Sequence, residues 1–92
     1  MKSIRLFATV RDMVGSGKLH VPFESGDTVR DLICSIDGIN HELGEKLLDE
    51  NGDLSKLIHI YVRGRNVEWL EGLDTVITDE DDVFIVPPMA GG

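Results

Sequence analysis

The residues of this chain whose types and spacing suit a reaction are its last six, Pro87-Pro88-Met89-Ala90-Gly91-Gly92. Gly91 and Gly92 carry no Cβ, so an end built from them passes down a channel too narrow for other residues and takes φ values closed to them. The group such an end presents is a carboxylate, which at neutral pH is a poor electrophile. Acyl chemistry at Gly92 therefore needs an outside enzyme that converts it to an acyl-adenylate with MgATP. The chain shows no P-loop-type glycine loop for phosphate, so it is not expected to activate itself. Six extended residues span at most about 20 Å, enough for the carboxylate to reach another protein's active site while a folded body stays outside. An arbitrary Gly-Gly end is usually a frayed terminus, but the residues ahead of this one weigh against that reading.

Those residues are Val83-Phe84-Ile85-Val86, four apolar side chains in a row between an acidic run and two prolines. The pattern predicts a short central strand buried on both faces. Pro87 and Pro88 lack an amide hydrogen and hold φ fixed, so the ladder stops there and the chain continues along an extended path. Residues 87–92 are thus expected to be a flexible tail leaving a rigid strand, on a single domain spanning residues 1–92.

The remaining elements must form the body that presents this tail. Ile4, Leu6, Ala8 and Val10 alternate with Arg5, Phe7 and Thr9, which predicts a half-buried first strand with Phe7 on its outer side. Phe7 is then either a partner contact or a ring covered by its neighbours. Met13 to Gly17 reads as a turn, and Leu19, Val21 and Phe23 as a second strand of the same hairpin, with Pro22 suiting an edge. Thr28-x-x-Asp31 resembles a capping box, and Val29, Leu32, Ile33 and Ile36 then form one apolar helical stripe. Cys34 falls off that stripe and is expected to be partly exposed, with an incidental role.

Asp37 to Asn40 ends this helix, and Leu43 to Leu48 suggests a further short turn. Asp49 to Asp53 lacks the spacing of a calcium loop and reads as a polar turn. Ile58, Ile60 and Val62 predict a third strand, Gly64-Arg65-Asn66 a turn, and Val67 the start of a short fourth strand. Leu73 and Val76 are expected to pack inward, whereas Trp69 suits core or interface equally. Asp79-Glu80-Asp81-Asp82 is read as a solvated loop, with an electrostatic handle for a basic partner as the alternative.

Composition narrows the function. A 92-residue chain with 41% hydrophobic residues supports one small core. A net charge of -8 argues against nucleic acid, whose phosphates would be repelled, and favours a partner with a basic surface. No run approaches the roughly 20 apolar residues of a membrane span, and the expected location is cytoplasmic. One cysteine permits neither an internal disulfide nor an iron-sulfur cluster. His20, His41 and His59 lack ligand spacing, so no metal site and no bound cofactor are expected.

The ending Val86-Pro87-Pro88-Met89-Ala90-Gly91-Gly92, the opening Ile4-Arg5-Leu6-Phe7-Ala8-Thr9-Val10-Arg11-Asp12 with Gly15, and the Thr28-Val29-Arg30-Asp31-Leu32 helix start resemble the MoaD-type small subunits of molybdopterin synthase. They resemble equally the ubiquitin-like small archaeal modifier proteins. The resemblance implies an α+β, ubiquitin-like β-grasp fold: a mixed four- to five-stranded sheet, one main helix across one face, and the last strand parallel to the first. It implies a sulfur carrier whose Gly92 is adenylated by an E1-like enzyme, converted to a thiocarboxylate, and used by the synthase large subunit in molybdenum cofactor biosynthesis. Gly91, Ala90, Met89, Pro88 and Pro87 would lie in the partner's active site. The docking patch carried over is Phe7, Val67 and Val86, although an aromatic often stands where Val86 is here. On this reading the chain holds no self-contained active site. The same tail serves a modifier joined through Gly92 to target lysines, and a noncovalent interaction module with an incidental tail is the third reading.

Overall fold

The opening strand pattern holds as far as Leu6 and fails beyond Phe7. In the computed structural model, which describes residues 1–87, β1 runs over Lys2–Leu6 with Lys2, Ile4 and Leu6 buried. The alternation predicted onward through Ala8 and Val10 stops at Phe7. Ala8 turns into the left-handed region at φ 51°, and α1 covers Ala8–Val14. The reason is legible afterwards: Val10, Met13 and Val14 stand at i, i+3 and i+4, a helical spacing that overlaps the strand pattern. Gly15 ends α1 at φ 86°, its N–H donating to the Arg11 carbonyl at 2.8 Å. The predicted turn is therefore only residues 15–17, and β2 (Lys18–Val21) returns antiparallel to β1.

α2 (Val29–Ile39) starts where the capping box places it. Thr28 accepts from the Asp31 amide and the Asp31 carboxylate accepts from the Thr28 amide. That Thr28 amide bond, with the Thr28 hydroxyl, holds the Asp31 carboxyl below its ordinary pKa. Val29, Leu32, Ile33 and Ile36 are all buried against the sheet, and Cys34 is exposed as its helical position predicts. Asn40 ends α2 and caps α3 (His41–Leu47), its Oδ1 accepting from the Leu43 amide at 3.0 Å. The Asp49 carboxylate accepts from the Asn51 and Asp53 amides, so residues 49–53 form a polar turn as expected.

β3 (His59–Val62) and the two-residue β4 (Arg65–Asn66) form a hairpin. Val67, expected in a strand, begins a 3-10 turn over Val67–Trp69, and a second covers Gly72–Asp74. Leu73 packs inward as predicted, but Val76 is 51% exposed. Its neighbours Thr75 and Ile77 take the inward positions instead, because Thr28 bridges Val76 and sets the parity of this extended segment. Trp69, 81% exposed, belongs to the surface.

β5 (Val83–Val86) lies in the middle of the order β2-β1-β5-β3-β4, parallel to β1 and antiparallel to β3. Val83 and Ile85 reach the core, whereas Phe84 and Val86 are only half-buried. The expectation that this strand is covered on both faces is thus corrected: it is central in the ladder, yet α2 covers one face only. A mixed sheet gripping a helix, with its first and last strands parallel at the centre, is the β-grasp arrangement.

The acidic run before β5 is partly internal. Asp81 accepts from the Thr78 amide at 2.9 Å and pairs with Arg63 at 2.6 Å. Partial burial opposes its ionisation, but the Thr78 amide and the Arg63 guanidinium outweigh this and lower its pKa from 3.8. Because the folded value lies below the unfolded one, the stabilisation is present above about pH 4 and lost as pH falls through the folded value. Asp81→Asn keeps an acceptor for Thr78 and removes only the charge. Its melting temperature should fall below the parent's at neutral pH, and thermal melts should show the gap closing as pH falls through the folded value.

Candidate functional site: the outer face of the sheet at the exit of β5

Strand alternation sorts β1, β5 and β3 into two sets. Ile4, Leu6, Val83, Ile85, Ile60 and Val62 face the core. The others face outward, and the register lines them up: Arg5 stands beside Phe84, and Phe84 opposite Tyr61. One position further along, His59 is opposite Val86. Phe7, held at the end of β1 by its amide bond to the Ile85 carbonyl, packs edge-to-face on Phe84 with centroids 5.6 Å apart. Phe7, Tyr61, Phe84 and Val86 together line a shallow, mostly apolar groove. Three aromatic residues converge here in a chain that has only five.

Of the predicted patch, the structure brings Phe7 and Val86 together and removes Val67. Val67 is 0% exposed among the core residues, so it belongs to packing. Tyr61 and Phe84 take its place. Tyr61 was legible as the outward residue between Ile60 and Val62. Phe84 was hidden inside a run of four apolar residues that concealed its parity.

His59 adds a polar point beside Val86. Its Nδ1 is buried and has no hydrogen-bond partner among the described residues, an unmet need of the kind that usually has a functional or bridging explanation. Pro87 follows Val86 directly, so the chain leaves the sheet at the rim of the groove. The predicted tail residues Pro88, Met89, Ala90, Gly91 and Gly92 lie outside the described residues. What the described face can do is bind: it offers rings, a phenol and an imidazole at the point where the central strand ends.

No described helix is long and apolar enough to cross a membrane. The ThiS family model matches residues 4–92. A putative sulfur carrier protein of Archaeoglobus fulgidus is 42% identical over 79 residues, which are 86% of this chain and 89% of that protein. Small archaeal modifier protein 3 of Haloferax volcanii is 33% identical over 89 residues, 97% of this chain and 96% of that protein. The crystal structure of Mycobacterium tuberculosis CysO superposes with a TM-score of 0.79 at 27% identity, over 97% of this chain and all of the other. A match over nearly the whole length, on a β-grasp body with an apolar outer face at the exit of its last strand, means that the chain belongs to the ThiS family of ubiquitin-like sulfur carriers and modifiers.

Proposed function

We propose that the chain is a sulfur carrier loaded at Gly92. An E1-like adenylating enzyme docks on the outer face of the sheet and takes the tail into its own active site. There the carboxylate oxygen attacks the α-phosphorus of MgATP and pyrophosphate leaves. Sulfide-level sulfur then attacks the acyl carbon, AMP departs, and a thiocarboxylate remains. Gly92 is the carrier residue, Gly91, Ala90 and Met89 the slim approach, and Pro88 and Pro87 the stiff exit. In the finer reading the sulfur passes to a precursor of molybdopterin held by the large subunit of molybdopterin synthase, in the cytoplasm, and the carrier returns to the carboxylate. The observation that carries the proposal is the placement of the exit: the tail starts from the strand most firmly held in the sheet, at the rim of an apolar groove.

A second reading is favoured by the Haloferax relative's name, small archaeal modifier protein 3. Here an acceptor lysine amine attacks the same acyl-adenylate, releasing AMP and forming an isopeptide bond. Both readings share the adenylate and part at the nucleophile.

Intact-mass measurement after incubation with the activating enzyme, MgATP and a sulfur donor tests the carrier reading. The expected result is a sulfur-for-oxygen exchange confined to the C-terminal peptide and absent from a chain lacking Gly91 and Gly92. Loss of that sulfur on adding the synthase large subunit and its substrate supports the finer reading. Loading without such loss, with Gly92-dependent high-mass adducts in cells, moves the assignment to the modifier. An unloaded carrier beside an enzyme that loads a related protein overturns the proposal.

A further inference from the structure

The sheet of this protein does not share the acidity of the whole chain. The chain holds 17 acidic and 9 basic residues, yet the five strands, KSIRL, KLHV, HIYV, RN and VFIV, contain no aspartate or glutamate. They hold Lys2, Arg5, Lys18 and Arg65 and two of the three histidines. Lys2 is buried and donates to the Thr78 and Asp79 carbonyls, so it is spent inside. Arg5 and Lys18 are not. They stand directly opposite one another in the β1–β2 register, both exposed on the outer face.

Like charges paired across strands destabilise a sheet by up to about 1 kcal/mol, and here nothing offsets them. Among the described residues, Arg63 pairs with Asp81, and the imidazole of His41 lies against the Asp37 and Glu45 carboxylates. Neither Arg5 nor Lys18 takes part. Asp82, just before β5, makes no ion pair with either of them among the described residues. The register then reads Lys18, Arg5, Phe84, Tyr61 across four strands: two unmatched cations followed by two aromatic rings.

We infer that the outer face takes a protein partner whose surface is apolar at its centre and bordered by carboxylates, which meet Arg5 and Lys18 beside the Phe7–Tyr61–Phe84 groove. This reverses the basic partner that the net charge suggests. Distance decides between the two. The molecule measures 33 × 27 × 25 Å, and screening in physiological salt acts over about 8 Å. Carboxylates on the helix side, such as Asp31 and Asp37 of α2, therefore count little at the outer face, whereas Arg5 and Lys18 within it count fully. Carboxylates there gain attraction and also relieve the repulsion between Arg5 and Lys18. The inference deepens the proposed function by describing the enzyme surface that docks there, and rests on that reading only for the partner's identity.

The test uses the full chain, labelled with ¹⁵N, and two synthetic peptides sharing a Leu-Trp-Leu centre, one flanked by glutamates and one by lysines. The expected result is that the glutamate peptide binds about tenfold tighter, shifts the amides of Arg5, Lys18, Tyr61 and Phe84, and loses this advantage in high salt. Arg5→Glu with Lys18→Glu, both exposed positions, should reverse the preference. Equal binding, tighter binding of the lysine peptide, or shifts confined to other faces overturn the inference. Concentration-dependent self-association of the chain that the double variant abolishes overturns it too, by making a second copy the occupant. Neither peptide involves Gly92, so this result and the loading of Gly92 fail independently.

Discussion

Phe84→Ala should raise the carrier concentration needed for half-maximal loading by the adenylating enzyme about 30- to 1000-fold, with turnover at saturation little changed. The magnitude is that of an aromatic anchor truncated at the centre of an interface, about 2–4 kcal/mol. Phe84 earns that position by register: Arg5 and Tyr61 flank it on neighbouring strands, and Phe7 packs on its edge. Removing the ring therefore loses its own contact area and also frees Phe7. Stability should suffer less than binding, because Phe84 is only half-buried and faces away from α2. Steady-state loading kinetics, with a thermal melt to confirm folding, separate the two. Trp69→Ala provides the comparison, since Trp69 is more exposed than any ring of the groove but does not line it; its kinetics should match the parent's. If Phe84→Ala loads as the parent does, the outer face is not where the enzyme docks.

The second large effect is structural. Gly44→Val should lower the melting temperature by about 4–24 °C, since overpacking costs about 1–3 kcal/mol and each kcal/mol shifts a domain of this size by about 4–8 °C. A Cβ at Gly44 would lie 2.6 Å from the Cα, Cβ and Oδ1 of Asp37. The obstacle is backbone in the last turns of α2, which cannot swing aside as a side-chain tip would. Glycine here lets α3 lie close against α2, and the bond from Asp37 to His41 at 2.9 Å spans the same junction. Gly38→Ala makes the opposite prediction within α2. Nothing lies within 4 Å of its added Cβ and its φ is ordinary, so it should stabilise by about 0.5–1 kcal/mol through helix propensity. Thermal melts of both variants read the two signs; a neutral Gly44→Val would mean that the helices separate readily.

The second helix was legible in the residues because it depends on local chemistry. Thr28 and Asp31 satisfy each other's amides within one turn, and the stripe from Val29 to Ile36 needs only helical spacing to form a face. The opening strand was misjudged at Ala8 for an equally local reason: residues 8–14 satisfy two periods at once, and only the backbone turn at Ala8 chooses between them. Val67 and Val76 failed differently. Each lies in a short irregular segment whose parity is set by contacts far away in the chain, as the bridge from Thr28 to Val76 shows.

The sequence by itself determined the order of helix and strands that a β-grasp chain needs, since caps and strand alternation act over a few residues. Only the tertiary structure decided which side chains surround the exit. Phe7, Tyr61, Phe84 and Val86, with Arg5 and Lys18 beside them, come from four strands and the residue just after β1, separated by as many as 81 positions in the numbering. They share one surface because β5 inserts between β1 and β3, and a register between distant strands is written in no single stretch of the chain.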